Sequence, residues 1–507
     1  MIDITYSEKD FDYELEALLV NFFPGQCFGN GKEEETLFVH FAFETYEIAI
    51  LIRTGDFQMQ DKVTVSGEGD FHKKPDKTAH PYRTYYKNEL KRLLFRMLER
   101  FPEKRLPEGF EKQLPVWGTM TGVRPTKIPM NELLSGKEET EVDRELRDIY
   151  CCSKEKSGLC MEIAKREASL LQTVNYENGY SLYIGIPFCP TTCLYCSFPS
   201  YPVERFGDLI PDYLNALFRE IREMGEICKG KRLTGVYIGG GTPTALSTEQ
   251  LDVLLGELKD CFPVSEGCEF TVEAGRPDSI TKEKLLVLKE HSAGRISINP
   301  QTMQQKTLDL IGRRHTVEDT KRAFSLAREL GFDDINMDLI VGLPGEDVED
   351  FLDTLEQIQR LEPDSVTIHS LVIKRASGLR ELLEENKDST RVEKSRIQTM
   401  EKSLLLAEQK LRGGGYEPYY MYRQKNSSGH FGSSGQENIG FSKPGKECLY
   451  NILIMEEMQT IIALGAGAST KRYDPEKRIV SRVENVKSIT DYISRINEMI
   501  ERKRDIF

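Results

Sequence analysis

The sequence predicts an α/β protein: a partial (β/α)6 barrel preceded by an α+β domain and followed by a mainly helical cap. Three observations predict it. Short apolar, β-branched runs alternate with segments of helical period from about residue 180 to 362. Each run ends in a Gly, Pro or polar turn. Capping residues open the helical segments between them.

Six strands are expected, at 181–188, 235–239, 269–274, 295–299, 334–341 and 365–373. The helix at 208–227 places Leu209, Tyr213, Leu214, Leu217 and Ile221 at three- and four-residue spacing on one face. Ser247-Thr248-Glu249-Gln250 reads as a capping box, and Thr281, Thr316 and Asp347 open three more helices. Residues 1–175 read as a separate α+β region, with a hairpin over 36–52 and a basic amphipathic helix over 86–101. After the barrel, 176–384, a helix over 393–411 stops at Leu411-Arg412-Gly413-Gly414-Gly415, and 385–507 read as the cap. A parallel barrel of this kind gathers its functional loops beyond the C-terminal strand ends.

Composition narrows the function. A chain of 507 residues exceeds one core, and a net charge of −14 argues against a large nucleic-acid footprint, which needs clustered excess Lys and Arg. No run of about 18 apolar residues appears, and the start Met1-Ile2-Asp3-Ile4-Thr5 lacks a secretory pattern, so a cytoplasmic protein with no membrane span is expected. The eleven cysteines are odd in number and unevenly spaced, which fits a disulfide framework poorly.

Three of them, Cys189, Cys193 and Cys196, form a C-x3-C-x2-C motif directly after the first barrel strand. Three thiolates hold three irons of a cubane and leave the fourth open to a ligand. An incomplete structural zinc site and buried free thiols are the alternatives. Cys151, Cys152 and Cys160 lie in a helical, Lys/Glu-rich stretch, where a vicinal pair suits a cubane badly.

At this motif the chain resembles the radical S-adenosylmethionine (SAM) enzymes, most closely the subgroup related to oxygen-independent coproporphyrinogen III dehydrogenase. That resemblance implies a [4Fe–4S] cluster on the three cysteines and SAM as second cofactor. It implicates Gly240, Gly241 and Thr242 of Gly239-Gly240-Gly241-Thr242-Pro243-Thr244 in SAM contact, together with Glu273, Gln301, Arg313 and Asp338 at later strand ends. On the residues alone, the glycine run also reads as a tight turn, Glu273 as a surface ion pair and Asp338 as a salt bridge between strands. Tyr183, ahead of the cysteines, Tyr195, between Cys193 and Cys196, and Val372 match further family contacts, although both tyrosines also suit packing.

The long N-terminal extension with Trp117-Gly118-Thr119-Met120-Thr121-Gly122-Val123-Arg124-Pro125, and the stretch 419–426, are similar to the HemZ-type branch. Phe198 stands where coproporphyrinogen dehydrogenases carry a fourth cysteine, and Tyr450-Asn451 lacks the histidine of the related haem chaperones. The resemblance implies oxidative decarboxylation of two propionates of coproporphyrinogen III to give protoporphyrinogen IX. An external flavodoxin- or ferredoxin-like donor would reduce the cluster, SAM would supply the hydrogen-abstracting radical, and no protein general base is required. Haem trafficking without turnover is the other function the resemblance leaves open. Arg423 and Lys425, beside Tyr419, Tyr420 and Tyr422, are the expected partners of the substrate carboxylates, with the tyrosines packing on the macrocycle; an exposed loop with no substrate contact is the other reading of the same residues.

Overall fold

The structure, a computed structural model, describes the chain apart from residues 9, 30, 45, 66–80, 175, 177–178, 197, 265–266, 374–377, 380–388, 425–436 and 478. The chain forms two compact units.

Among the described residues the first comprises Met1–Lys165 together with Arg423 and Gln424. Its sheet has the order β1 (Ile2–Tyr6), β2 (Leu37–Phe43), β3 (Glu47–Thr54), β4 (Phe57–Thr64), with β1 parallel to β2 and the other pairs antiparallel. The expected hairpin is the β2–β3 pair. Alternate residues Ile48, Ile50 and Ile52 are fully buried, as period-two side-chain placement requires of a half-covered sheet. They join one core with Leu15, Leu18 and Leu19 of the helix Asp12–Phe22 and Tyr86, Leu90 and Leu94 of the helix Pro81–Arg100.

The second unit contains an eleven-stranded sheet. In chain order its strands are β5 (Gly179–Ile186), β8 (Arg232–Gly240), β9 (Glu269–Glu273), β10 (Arg295–Ser297), β11 (Ile335–Val341), β12 (Ser365–Ser370), β13 (Glu417–Arg423), β14 (Glu437–Ser442), β15 (Thr460–Leu464), β16 (Ser469–Asp474) and β17 (Ile479–Glu484); two-residue strands β6 (Phe188–Cys189) and β7 (Tyr201–Pro202) pair apart from it. The sheet order is β13-β14-β12-β11-β10-β9-β8-β5-β15-β16-β17. The six expected strands therefore lie side by side in sequence order, all parallel.

One face of these strands is apolar: Ile184, Val236, Ile238, Val272, Ile296, Met337, Leu339 and Ile368 are almost completely buried. Residues of the other parity form a polar interior. There Asn336 Nδ2 donates to Ser297 Oγ at 2.8 Å, and Thr367 Oγ1 to Asn336 Oδ1 at 3.2 Å. Burial on both faces is why the strands read as near-continuous apolar runs broken by isolated polar residues.

The helices start where their caps are. Ser247, Thr316 and Asp347 make full capping boxes, and Thr281 accepts from Lys284 N. The C-terminal region supplies the helices Ser389–Gly413, Leu449–Glu456, Ile489–Ser494 and Ile496–Arg504. It also supplies five strands that extend both edges of the sheet, which the expectation of a cap did not include. The strand expected over 295–299 ends at Ser297 and that over 365–373 at Ser370, because the chain there turns into the loops of the site.

Candidate functional site

The three cysteines occupy the loop that leaves β5. Parallel pairing of β6 with β7 ties the two ends of that loop together, and Leu194 N donates to Ile311 O at 3.0 Å to hold its middle. The glycine loop after β8 packs directly beneath. Gly241 N donates to Ile186 O at 2.8 Å and Thr242 N to Phe188 O at 2.7 Å. A Cβ on Gly241 would stand 2.6 Å from Phe188 O and 3.0 Å from Cys189 Sγ, so no larger residue permits this approach.

Side chains donate to the thiol sulfurs: Thr242 Oγ1 to Cys189 Sγ at 3.5 Å, and Arg276 Nη1 to Cys193 Sγ at 3.5 Å. Arg276 is 3% exposed and is held by Asp278 at 2.8 Å. Burial pushes the Cys189 thiol up to about 11, partly offset by the Thr242 bond. Burial raises Cys196 as well, partly offset by hydrogen bonds from the Phe198 backbone and Ser200. Such thiols give up their protons only to a metal that replaces them. Among the described residues no three His, Cys, Asp or Glu side chains converge to hold a single metal ion. Thiols spread along a loop, with N–H and O–H donors behind the sulfurs, instead fit a cubane that takes one cysteine per iron.

The expected SAM residues gather on the later strand ends of the same unit. Glu273 ends β9, accepts from Tyr237 Oη at 2.6 Å, and is pushed up to about 7, chiefly by burial. Asp338, inside β11, accepts from Asn336 Nδ2 at 2.7 Å and lies 3.8 Å from His369 Nε2. Burial opposes its charge, but the bonds from His369 and Asn336 prevail and hold its carboxyl below the usual range. Gln301 has φ of 70°, a left-handed backbone costly for a side chain with a Cβ. It is pinned to β11 by Gln301 N donating to Asp338 O at 3.0 Å and Ile340 N to Gln301 O at 2.9 Å.

Arg313 donates to Tyr195 Oη at 2.9 Å, Gly275 O at 3.0 Å and Asn299 O at 2.6 Å, which links the cysteine loop to two strand ends. Tyr183 is brought against Gly240, where an added Cβ would stand 3.4 Å from its hydroxyl. Val372 lies just past β12, half-buried. Gln301 Oε1 and Arg313 Nε are buried without a protein partner, as polar atoms are where a ligand completes their bonding.

The expected substrate residues fare differently. Arg423 groups with the first unit, where its Nη1 donates to Met120 O at 2.6 Å and its guanidinium lies 5.6 Å over the Trp117 ring. Lys425 lies outside the described residues. Tyr419 and Tyr420 are 0% and 4% exposed, so they are core residues and not a surface for a macrocycle: β13 is covered on both faces, and the two tyrosines, on opposite faces, are both buried.

Sequence reasoning missed Arg276, Asn299, His369, Tyr237 and Tyr450. A signal existed for two of them. Arg276 stands in the turn straight after the third strand, and Tyr237 shares the parity of Gly239, which puts it on the same strand face as the glycine loop.

An open row of parallel strands with a three-cysteine loop at its mouth defines the class, a radical SAM protein. Residues 183–358 match the radical SAM superfamily. The chain is 39% identical over 459 residues to the oxygen-independent coproporphyrinogen-III oxidase-like protein HemZ of Bacillus subtilis (strain 168), spanning 88% of each protein. It is 38% identical over 196 residues to the heme chaperone HemW of the same organism, 38% of this chain and 50% of that one. The solved coproporphyrinogen III oxidase HemN of Escherichia coli shares the fold with a TM-score of 0.52 at 23% identity, covering 66% of this chain and 73% of that one. The chain belongs to the HemZ family of radical SAM proteins, and its cofactors are a [4Fe–4S] cluster and SAM. Among the described residues no helix is long and apolar enough to cross a membrane.

Proposed function

We propose that the chain catalyses oxygen-independent oxidative decarboxylation of two propionates of coproporphyrinogen III, giving protoporphyrinogen IX. The observation that carries this reading is likeness to HemZ along 88% of the chain, combined with the polar ring around the cysteine loop. Cys189, Cys193 and Cys196 would hold the cluster, and the cluster with SAM supplies, when bound, the radical that abstracts hydrogen from the substrate.

The residues have distinct tasks. Arg276 and Thr242 donate to cysteine sulfur and set its electron density. Gly240, Gly241 and Thr242 let backbone approach SAM closely, and the Glu273 carboxylate accepts from its hydroxyls. Arg313 and Gln301, each with a buried unpaired atom, complete its polar contacts, with Asp338, Tyr183, Tyr195 and Val372 around them. The protein's contribution to rate is mostly position, because a radical held against its target carbon needs no acid or base. An external one-electron donor of flavodoxin or ferredoxin type would reduce the cluster, a one-electron acceptor would take the electron left as each carbon dioxide departs, and the cytoplasm suits that supply.

A second reading, haem trafficking, is favoured by the HemW match and by Phe198 at the position of a fourth cysteine. Anaerobic incubation of reconstituted, reduced protein with SAM and coproporphyrinogen III separates the two. Product lighter by two carboxyl groups is the expected outcome. Stoichiometric haem binding with substrate left intact would favour trafficking.

A further inference from the structure

Inside the barrel three tyrosines stack. The Tyr237 ring lies 4.6 Å from Tyr450 at 21°, and Tyr183 lies 6.3 Å from Tyr237 at 17° and 6.4 Å from Tyr450 at 18°. Tyr237 belongs to β8 and Tyr183 to β5, whereas Tyr450 enters from the helix Leu449–Glu456. Glu269 holds that helix in place by accepting from Leu449 N at 2.6 Å and Tyr450 N at 3.0 Å. Only one of the three hydroxyls reaches a carboxylate: Tyr237 Oη donates to Glu273 Oε1 at 2.6 Å. The fit is close, because a Cβ on Gly239 would meet both the Glu273 carboxyl and the Tyr237 ring at 2.9 Å.

We infer that Tyr237 is a positioning residue, which holds the Glu273 carboxylate, ionised, where it accepts the hydroxyls of SAM, with Tyr450 bracing the ring by stacking on it. The inference rests on the reading of Glu273 as a SAM contact. A phenol has one proton to donate, and a ring packed against two others directs that proton to one oxygen of the carboxylate and leaves the second for the ligand. A short bond to an ionised acceptor is also among the stronger kinds.

Five groups face Glu273: Tyr237 from β8, Tyr183 from β5, Asp338 from β11, His369 from β12 and Tyr450 from its helix. Burial, with Asp338 adding to it, outweighs the bonds from Tyr237 and the Gly240 backbone and the influence of His369, which pull the other way, so that the Glu273 pKa is raised to about 7. The ionised form is the better acceptor. SAM affinity therefore rises as pH increases through about 7 and then levels off.

The test is equilibrium dialysis of labelled SAM against anaerobically reconstituted, unreduced full-length protein between pH 6 and 9, a readout independent of turnover. Tyr237→Phe removes only the hydroxyl. It should weaken SAM binding about tenfold at pH 7 and move the midpoint up by about one pH unit, so that most of the loss is recovered at pH 9. Tyr450→Leu, which leaves the hydroxyl but removes the brace, should show a smaller loss of the same pH-dependent form, and it serves if Tyr237→Phe fails to fold. Wild-type affinity and midpoint in these variants, or a loss equal at every pH, would overturn the inference. Glu273→Gln is the control for the underlying reading: if it binds SAM like wild type, Glu273 is no SAM contact. If it binds weakly while Tyr237→Phe does not, only the role of Tyr237 falls.

Discussion

Gly241 shows how little room the site leaves. Its Cβ would sit 2.6 Å from a backbone oxygen that already accepts the Thr242 amide at 2.7 Å, and 3.0 Å from the Cys189 sulfur. Gly241→Ala should therefore displace the loop and cut the iron retained after anaerobic reconstitution to below about half of wild type, read by iron and sulfide assay. Undiminished iron would mean that the loop yields freely. Arg276 predicts a subtler effect. Its guanidinium points at Cys193 and is anchored by Asp278 and Thr191, so Arg276→Met removes a positive charge and a donor from the sulfur. The cluster should still form, with a reduction potential more negative by roughly tens of millivolts in redox titration; an unchanged potential would show that the contact carries no electronic weight. At this scale the cysteines were legible because their spacing is itself the chemistry. Arg276 was not, because its link to Cys193 spans 83 residues of chain and depends on two strand ends meeting.

Strands and helices were legible where periodicity and caps agree. The six barrel strands and the capped helices after Ser247, Thr281, Thr316 and Asp347 lie where the sequence places them, to within a few residues. The five C-terminal strands were hidden, since strands such as Thr460–Leu464 are short and take their partners from residues far away, here β5. The helix Leu449–Glu456 illustrates the same non-local logic: its N-terminus has no side-chain cap from Cys448 but is satisfied by Glu269 from β9, a carboxylate at the positive end of the helix. Glu269→Ala should lower the stability of the barrel unit by about 2 kcal/mol in urea denaturation followed by circular dichroism, since two amide bonds to a charged acceptor go at once. A change below about 0.5 kcal/mol would mean that water caps the helix equally well.

At the scale of the whole molecule, the chain contains an α+β unit with its own aromatic core and a second unit whose sheet, parallel through its six central strands, carries the cysteines at its mouth. Nothing in composition singles out that mouth: an acidic chain with 30% charged residues describes many proteins, and the function lies in a few residues placed by topology. The central claim is that Cys189, Cys193 and Cys196 hold a cluster competent to cleave SAM. The most direct measurement is the 5′-deoxyadenosine formed when the anaerobically reconstituted, reduced full-length chain is mixed with SAM, run beside Cys193→Ala. The expected result is 5′-deoxyadenosine and methionine in equal amounts from wild type and none from the variant. A wild-type protein that carries its full cluster yet forms no 5′-deoxyadenosine would contradict it.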